Sequence, residues 1–192
     1  MAAQALHGVL LAAGGSSRFR ASKQLAQYRG RSLLRHAATT AAEALGPGVH
    51  VVLGADADAA RAELDGLDVR IVVHAHWREG LASSLKAGIR ALPHTCGAAL
   101  IMLCDQPRVD AGTLRRLLAA WSLAPQRLIA CGYAGTLGAP AIVPRPFFPE
   151  VYALTGDRGA KALLQRHREE TICVPAPEAA LDVDTPADLP AP

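Results

Sequence analysis

Residues 8–13, Gly-Val-Leu-Leu-Ala-Ala, and residues 98–103, Ala-Ala-Leu-Ile-Met-Leu, are apolar from end to end. A strand with one wet face alternates polar and apolar residues, so runs without alternation require a sheet covered on both faces. Helices supply that cover, and the chain carries helical patterns between its strand-like runs. Ser32 reads as the cap of a helix reaching about Leu45, with Leu33, Leu34, Ala37, Ala38, Ala41 and Ala42 at helical spacing and Gly46-Pro47-Gly48 as its stop. Further strands are expected at 49–53, 69–73 and 128–131, and further helices at 56–64, 81–92 and 111–121. This order predicts an α/β fold: a doubly wound, mostly parallel, three-layer α/β/α sheet of Rossmann-like type, formed by residues 1–192 as a single domain. Ligands of such sheets bind outside the carboxyl ends of the strands. With 192 residues and 51% hydrophobic content, the chain has enough apolar material for one substantial core.

Composition narrows the function. A net charge of +3 does not mark a nucleic-acid surface, and 4% aromatic content gives no stacking platform for single strands. There is no apolar run long enough to span a membrane and no signal-like N-terminus, which places the expected site of action in the cytoplasm. Cys96, Cys104, Cys131 and Cys173 lack paired spacing and read as buried, reduced thiols.

The carboxyl end of the first run, Leu11-Ala12-Ala13, leads into Gly14-Gly15-Ser16-Ser17-Arg18, with Lys23 five residues on. Small residues let backbone N–H groups approach an anion, the hydroxyls add donors, and Arg18 and Lys23 bring charge to neutralise phosphate. No Gly-Lys-Ser/Thr closes the loop, so it is not a Walker loop. The second all-apolar run ends in Cys104-Asp105-Gln106-Pro107. Asp105 is a hard oxygen ligand suited to Mg²⁺, or a partner for the next helix start. Near the C-terminus, Asp182-Val183-Asp184 puts two carboxylates on one side of an extended strand, and Thr185-Pro186 suits a helix start.

Between these lie Trp77-Arg78-Glu79-Gly80-Leu81-Ala82-Ser83-Ser84-Leu85, a loop running into a helix whose free N–H groups could hold a base or ribose. His74-Ala75-His76 reads as a polar strand end rather than a metal pair. Residues 133–144, with Gly138 and Pro140, read as a hairpin, and Thr155-Gly156-Asp157-Arg158-Gly159-Ala160 as the opening of a helix with an acidic first turn.

Taken together, these five motifs resemble those of the molybdenum cofactor cytidylyltransferases, in the same order along nearly the whole chain. The Leu-Ala-Ala-Gly form separates them from the guanylyltransferase relatives. The resemblance implies transfer of CMP from CTP to molybdenum-loaded molybdopterin with release of pyrophosphate. It implies catalytic roles for Arg18, Lys23 and Asp105, and Mg²⁺ on Asp105 and Asp184. Nucleotide binding falls to Leu11, Ala12, Ala13, Gly14, Gly15, Ser16, Ser17, Arg18, Lys23, Gly80, Ser84 and Asp105. The acceptor side falls to Gly138, Pro140, Asp157 and Arg158. A molybdoenzyme of the xanthine dehydrogenase type is the implied recipient. Arg20, His74 and Ala139 stand where the family has Gly, Asn and His. Two alternatives stay open: a transferase of the same fold using GTP or a sugar phosphate, and a non-catalytic carrier or chaperone of the molybdenum cofactor.

Overall fold

The first apolar run lies at the middle of a sheet. The computed structural model describes residues 5–15, 19 and 22–189, and in it this run forms strand β1 (Ala5–Ala12). A small hairpin, β2 (Gln27–Tyr28) and β3 (Arg31–Ser32), leads into helix α1 (Leu33–Leu45). Then come β4 (Val49–Leu53), α2 (Ala57–Ala62), β5 (Arg70–Val73), α3 (Leu81–Arg90) and β6 (Cys96–Leu103). The remaining elements are α4 (Ala111–Leu123), β7 (Ile129–Tyr133), β8 (Thr136–Pro144), α5 (Phe148–Tyr152), α6 (Ala160–Arg166) and β9 (Ile172–Pro175).

Seven strands form one sheet in the order β5-β4-β1-β6-β8-β7-β9. β1 pairs in parallel with β4 and with β6, so both all-apolar runs sit side by side under helices. Only β8 runs against its neighbours, antiparallel to β6 and β7, while β7 pairs in parallel with β9. The sheet is thus mostly parallel and Rossmann-like, as expected.

Alternate residues of β1 feed two cores. Leu10 and Ala12 pack with Leu34 and Ala38 of α1 and with Leu114 and Leu117 of α4. Val9, Leu11 and, just past the strand, Ala13 face the other way, into a core with Leu85 and Ile89 of α3 that extends to Leu163 and Leu164 of α6. Each fully buried leucine contributes about 2 kcal/mol of transfer free energy. Two helix starts carry side-chain caps: at α1 Ser32 Oγ accepts from the Arg35 amide at 3.1 Å, as expected, and at α4 an Asp110 carboxylate oxygen accepts from the Thr113 amide at 2.8 Å.

Five expectations need correction. The helix after residue 80 stops at Arg90, just ahead of Pro93, and that after Asp56 runs only from Ala57 to Ala62. Residues 181–184 pair with no strand of the sheet; Val183 alone is turned inward, fully buried with Tyr28 and Leu33, and Asp182 and Asp184 are left on the outside. Helix α6 begins at Ala160 after an extended Gly159, so Asp157 precedes the helix instead of forming its first turn. Finally, Cys96, Cys104 and Cys131 are buried but Cys173 is exposed, because β9 is an edge strand.

Candidate active site

The carboxyl ends of β1 and β6 open onto a cavity of about 470 Å³. Its floor is Leu11, Ala12 and Ala13, continued by Gly14 and Gly15, with Leu103, Cys104 and Asp105 beside them. Trp77, Arg78, Gly80, Leu81 and Ser84 form a wall at the start of α3, and Lys23, Gln24, Asp157 and Asp184 complete the lining. Ser16, Ser17, Arg18 and Arg20 lie outside the described residues.

The electrostatic centre is Lys23. Its Nζ donates to Asp105 Oδ2 at 2.6 Å and to Asp184 Oδ1 at 3.2 Å, joining residues 82 and 161 positions apart in sequence. Burial alone would lower the lysine pKa. The Asp105 charge and the hydrogen bonds to both carboxylates outweigh it and hold the ammonium above its ordinary value. Backbone contacts fix this geometry. The Val183 amide donates to the Asp105 carbonyl at 2.9 Å, which brings the C-terminal segment to the end of β6. The buried Gln106 donates through Nε2 to the carbonyls of Ala139 at 3.2 Å and Ala179 at 3.0 Å, anchoring the turn that carries Asp105. Next to it, burial first and then the Asp105 charge push the Cys104 thiol up to about 12. Cys104 is therefore a neutral lining group, not a nucleophile.

Gln24 has a role that no local pattern announces, while Trp77 and Arg78 belong to the loop before α3 already singled out in the sequence. Gln24 is buried and donates to the Ala55 carbonyl at 3.0 Å, which seats the turn bearing Lys23. Trp77 packs so tightly over Gly15 that a Cβ there would lie 2.5 Å from its ring, and Arg78 stacks on the same indole at 4.4 Å. His74 Nε2 lies 2.9 Å from Ser83 Oγ, and that hydroxyl contacts the Gly80 carbonyl at 2.9 Å, so His74 braces the turn into α3.

Gly138 and Pro140 lie on β8, Arg158 is exposed, and none of the three lines the cavity. Asp157, grouped with them in sequence, lines the cavity directly against Gly80. Asp105 Oδ1 is buried without a hydrogen-bond partner among the described residues, while Asp184 is half-exposed. A hard divalent cation fits this oxygen donor set.

A lysine at the start of a 3-10 turn, held between two carboxylates beside a glycine-lined cavity, is equipment for holding a polyphosphate, and the fold and site define a nucleotidyltransferase. Residues 8–171 match the MobA-like NTP transferase domain, and the chain belongs to that family. It is 37% identical over 168 residues, 83% of this chain and 81% of the relative, to nicotine blue oxidoreductase of Paenarthrobacter nicotinovorans. Among solved structures it resembles Rv0371c of Mycobacterium tuberculosis H37Rv, with 32% identity, a TM-score of 0.83 and coverage of 98% of this chain and 96% of that one. A complex of Rv0371C with manganese superposes with a TM-score of 0.78, at 32% identity over 97% and 96% of the two chains.

Proposed function

We propose that this chain is a molybdenum cofactor cytidylyltransferase. It transfers CMP from CTP to the terminal phosphate of molybdenum-loaded molybdopterin and releases pyrophosphate. The observation that carries the reading is the Lys23–Asp105–Asp184 cluster at the mouth of a nucleotide-sized cavity. The Ala12-Ala13-Gly14 form of the loop supports cytosine over guanine.

In this reaction an acceptor phosphate oxygen bonds to the α-phosphorus, and the bond from that phosphorus to the β-phosphate bridging oxygen breaks. The electron pair leaves with pyrophosphate. Such chemistry needs positioning and charge neutralisation more than a protein nucleophile. Gly14 and Gly15 give the phosphates close backbone approach. Lys23 stays cationic and neutralises charge developing on the leaving group. Arg18 is assigned the same task from the loop, with Ser16 and Ser17 as donors. Gly80 and Ser84 hold the base and ribose, and Gly138, Pro140 and Arg158 are assigned to the acceptor side. Asp105 and Asp184 would hold Mg²⁺, which supplies further neutralisation at the phosphates when bound; manganese in the complex of the Mycobacterium tuberculosis relative supports a divalent ion. Among the described residues no helix is long and apolar enough to cross a membrane, which suits the proposed cytoplasmic reaction and delivery to a molybdoenzyme of the xanthine dehydrogenase type.

Pyrophosphate release should be assayed with Mg²⁺, molybdenum-loaded molybdopterin and CTP, GTP or ATP in turn. Release with CTP that depends on the pterin is the expected result. Release with GTP alone would move the base assignment, and no release with any nucleotide would overturn transfer. A second reading, favoured by the 37% identity to a protein named an oxidoreductase, is electron transfer to an organic substrate from a reduced nucleotide in the same cavity. Nucleotide-dependent dye reduction without pyrophosphate release would establish it.

A further inference from the structure

At the start of α3 the cavity wall is Gly80, Leu81 and Ser84, faced by Asp157. The approach of Asp157 is set by backbone. Gly80 has φ +101°, and a Cβ there would lie 2.5 Å from the Gly156 carbonyl oxygen and 2.8 Å from Asp157 Oδ1. The same Gly156 carbonyl accepts from the Ala82 amide at 3.0 Å, tying the segment before α6 onto the first turn of α3. Only glycine at position 80 leaves room for that carboxylate. Asp157 has no hydrogen bond or ion pair among the described residues, so its acceptor oxygens are available to whatever occupies the cavity.

This divides the cavity chemically. The triphosphate is repelled by Asp157 and drawn to Lys23, which leaves the stretch beside Leu81 and Asp157 for the base. An ionised carboxylate can only accept hydrogen bonds. Cytosine presents an exocyclic amine at C4 as donor and adenine one at C6, whereas guanine carries its amine at C2. Uracil and thymine present a carbonyl oxygen where cytosine has its amine, which would face the exposed carboxylate acceptor to acceptor.

We infer that Asp157 is a base-selecting residue, which admits nucleotides bearing an amino group and rejects uracil and thymine nucleotides. The inference rests on the nucleotidyltransferase reading of the cavity and adds to it the rule by which bases are chosen. A purely structural carboxylate at the start of a helix would stabilise α3 and treat all bases alike.

Calorimetric titration with CTP and UTP, which differ at this amine, separates the two roles. The wild-type protein should bind CTP more tightly than UTP by about tenfold or more. Asp157→Asn, whose amide both donates and accepts, should bind UTP more tightly than wild type and CTP more weakly, bringing the ratio to within about threefold. Asp157→Ala should weaken CTP and leave UTP no weaker than in wild type. Equal binding of CTP and UTP by the wild type, or the wild-type ratio retained in both variants, would overturn base selection while leaving the cavity a nucleotide site. No binding of any nucleoside triphosphate by the wild type would instead overturn the nucleotidyltransferase reading, and the inference with it.

Discussion

At Lys23 burial and charge pull in opposite directions, and charge wins because two carboxylates share one ammonium. Replacing Lys23 by Met keeps most of the volume but leaves Asp105 and Asp184 facing each other without the shared ammonium. Pyrophosphate release should fall by about a hundredfold or more, the scale of losing one preorganised group that stabilises developing negative charge, while the circular dichroism spectrum stays that of the wild type. Near-normal turnover would remove Lys23 from the chemistry. Asp105→Asn should lose activity to a similar extent and weaken Mn²⁺ binding, read by electron paramagnetic resonance; unchanged Mn²⁺ affinity would refute the assignment of that carboxylate. These charged residues were legible because each ends an apolar run or follows a glycine-rich turn, a position where a charge has few purely structural uses. Gln24 was not, since its role depends on the Ala55 carbonyl, 31 residues away, to which no local pattern points. The resemblance puts Asp157 on the acceptor side and its local pattern reads as an acidic first turn of a helix; extended Gly159 delays that helix to Ala160 and leaves the carboxylate on the cavity wall, which depends on contacts with Gly80 that no local pattern shows.

Among the elements, α3 sets the width of the cavity, and Gly88 sets how closely α3 lies on the sheet. A Cβ at Gly88 would collide with Val9 Cγ1 and come within 3.0 Å of Val52 Cγ2. In an exposed helix Gly→Ala gains about 1 kcal/mol. Here overpacking against two stiff, β-branched, fully buried side chains costs about 1–3 kcal/mol and should win. Gly88→Ala is therefore expected to lower the melting temperature by several degrees, about 2–4 °C per kcal/mol at this chain length. It should also weaken nucleotide binding by displacing Gly80 and Ser84, and a second change, Val9→Ala, should restore part of both. A more stable Gly88→Ala would show that the helix has room to move. The helices and central strands were readable because their periodicities and caps are local. Strand direction was less so, since an apolar run reads the same either way. The sign was the two-residue connection Ala134-Gly135, both with positive φ, which is too short for a crossover and turns β8 back along β7.

Across the whole molecule, ionisable groups at the sheet and at its edges set the pH range in which the fold is stable. On the acid side, burial first, then His7 and Arg70, hold the His50 pKa below its ordinary value, so native His50 stays neutral where the unfolded chain takes up a proton. Stability should therefore fall as pH drops below about 6.5. Glu150, held low mainly by its hydrogen bond to His167, adds a further loss below its unfolded value of 4.5. On the alkaline side the Cys104 and Cys131 thiols dominate. Burial raises each from 9.0 to about 12, so above pH 9 the unfolded chain releases protons that the native state retains. Each thiol contributes a slope of up to about 1.4 kcal/mol per pH unit, and at pH 10.5 each should have cost about 2 kcal/mol relative to pH 8. Lys23 does not compensate within that range, since its raised pKa sustains the ion pair only until the ammonium itself titrates, above 10.5. Urea unfolding at pH 8, 9.5 and 10.5 checks this with Cys131→Ala, a change remote from the cavity. The variant should be less stable than wild type at pH 8, having lost buried sulfur, and should lose less stability on going to pH 10.5. Parallel pH profiles for the two proteins would mean that the Cys131 thiol ionises as readily in the fold as in the unfolded chain.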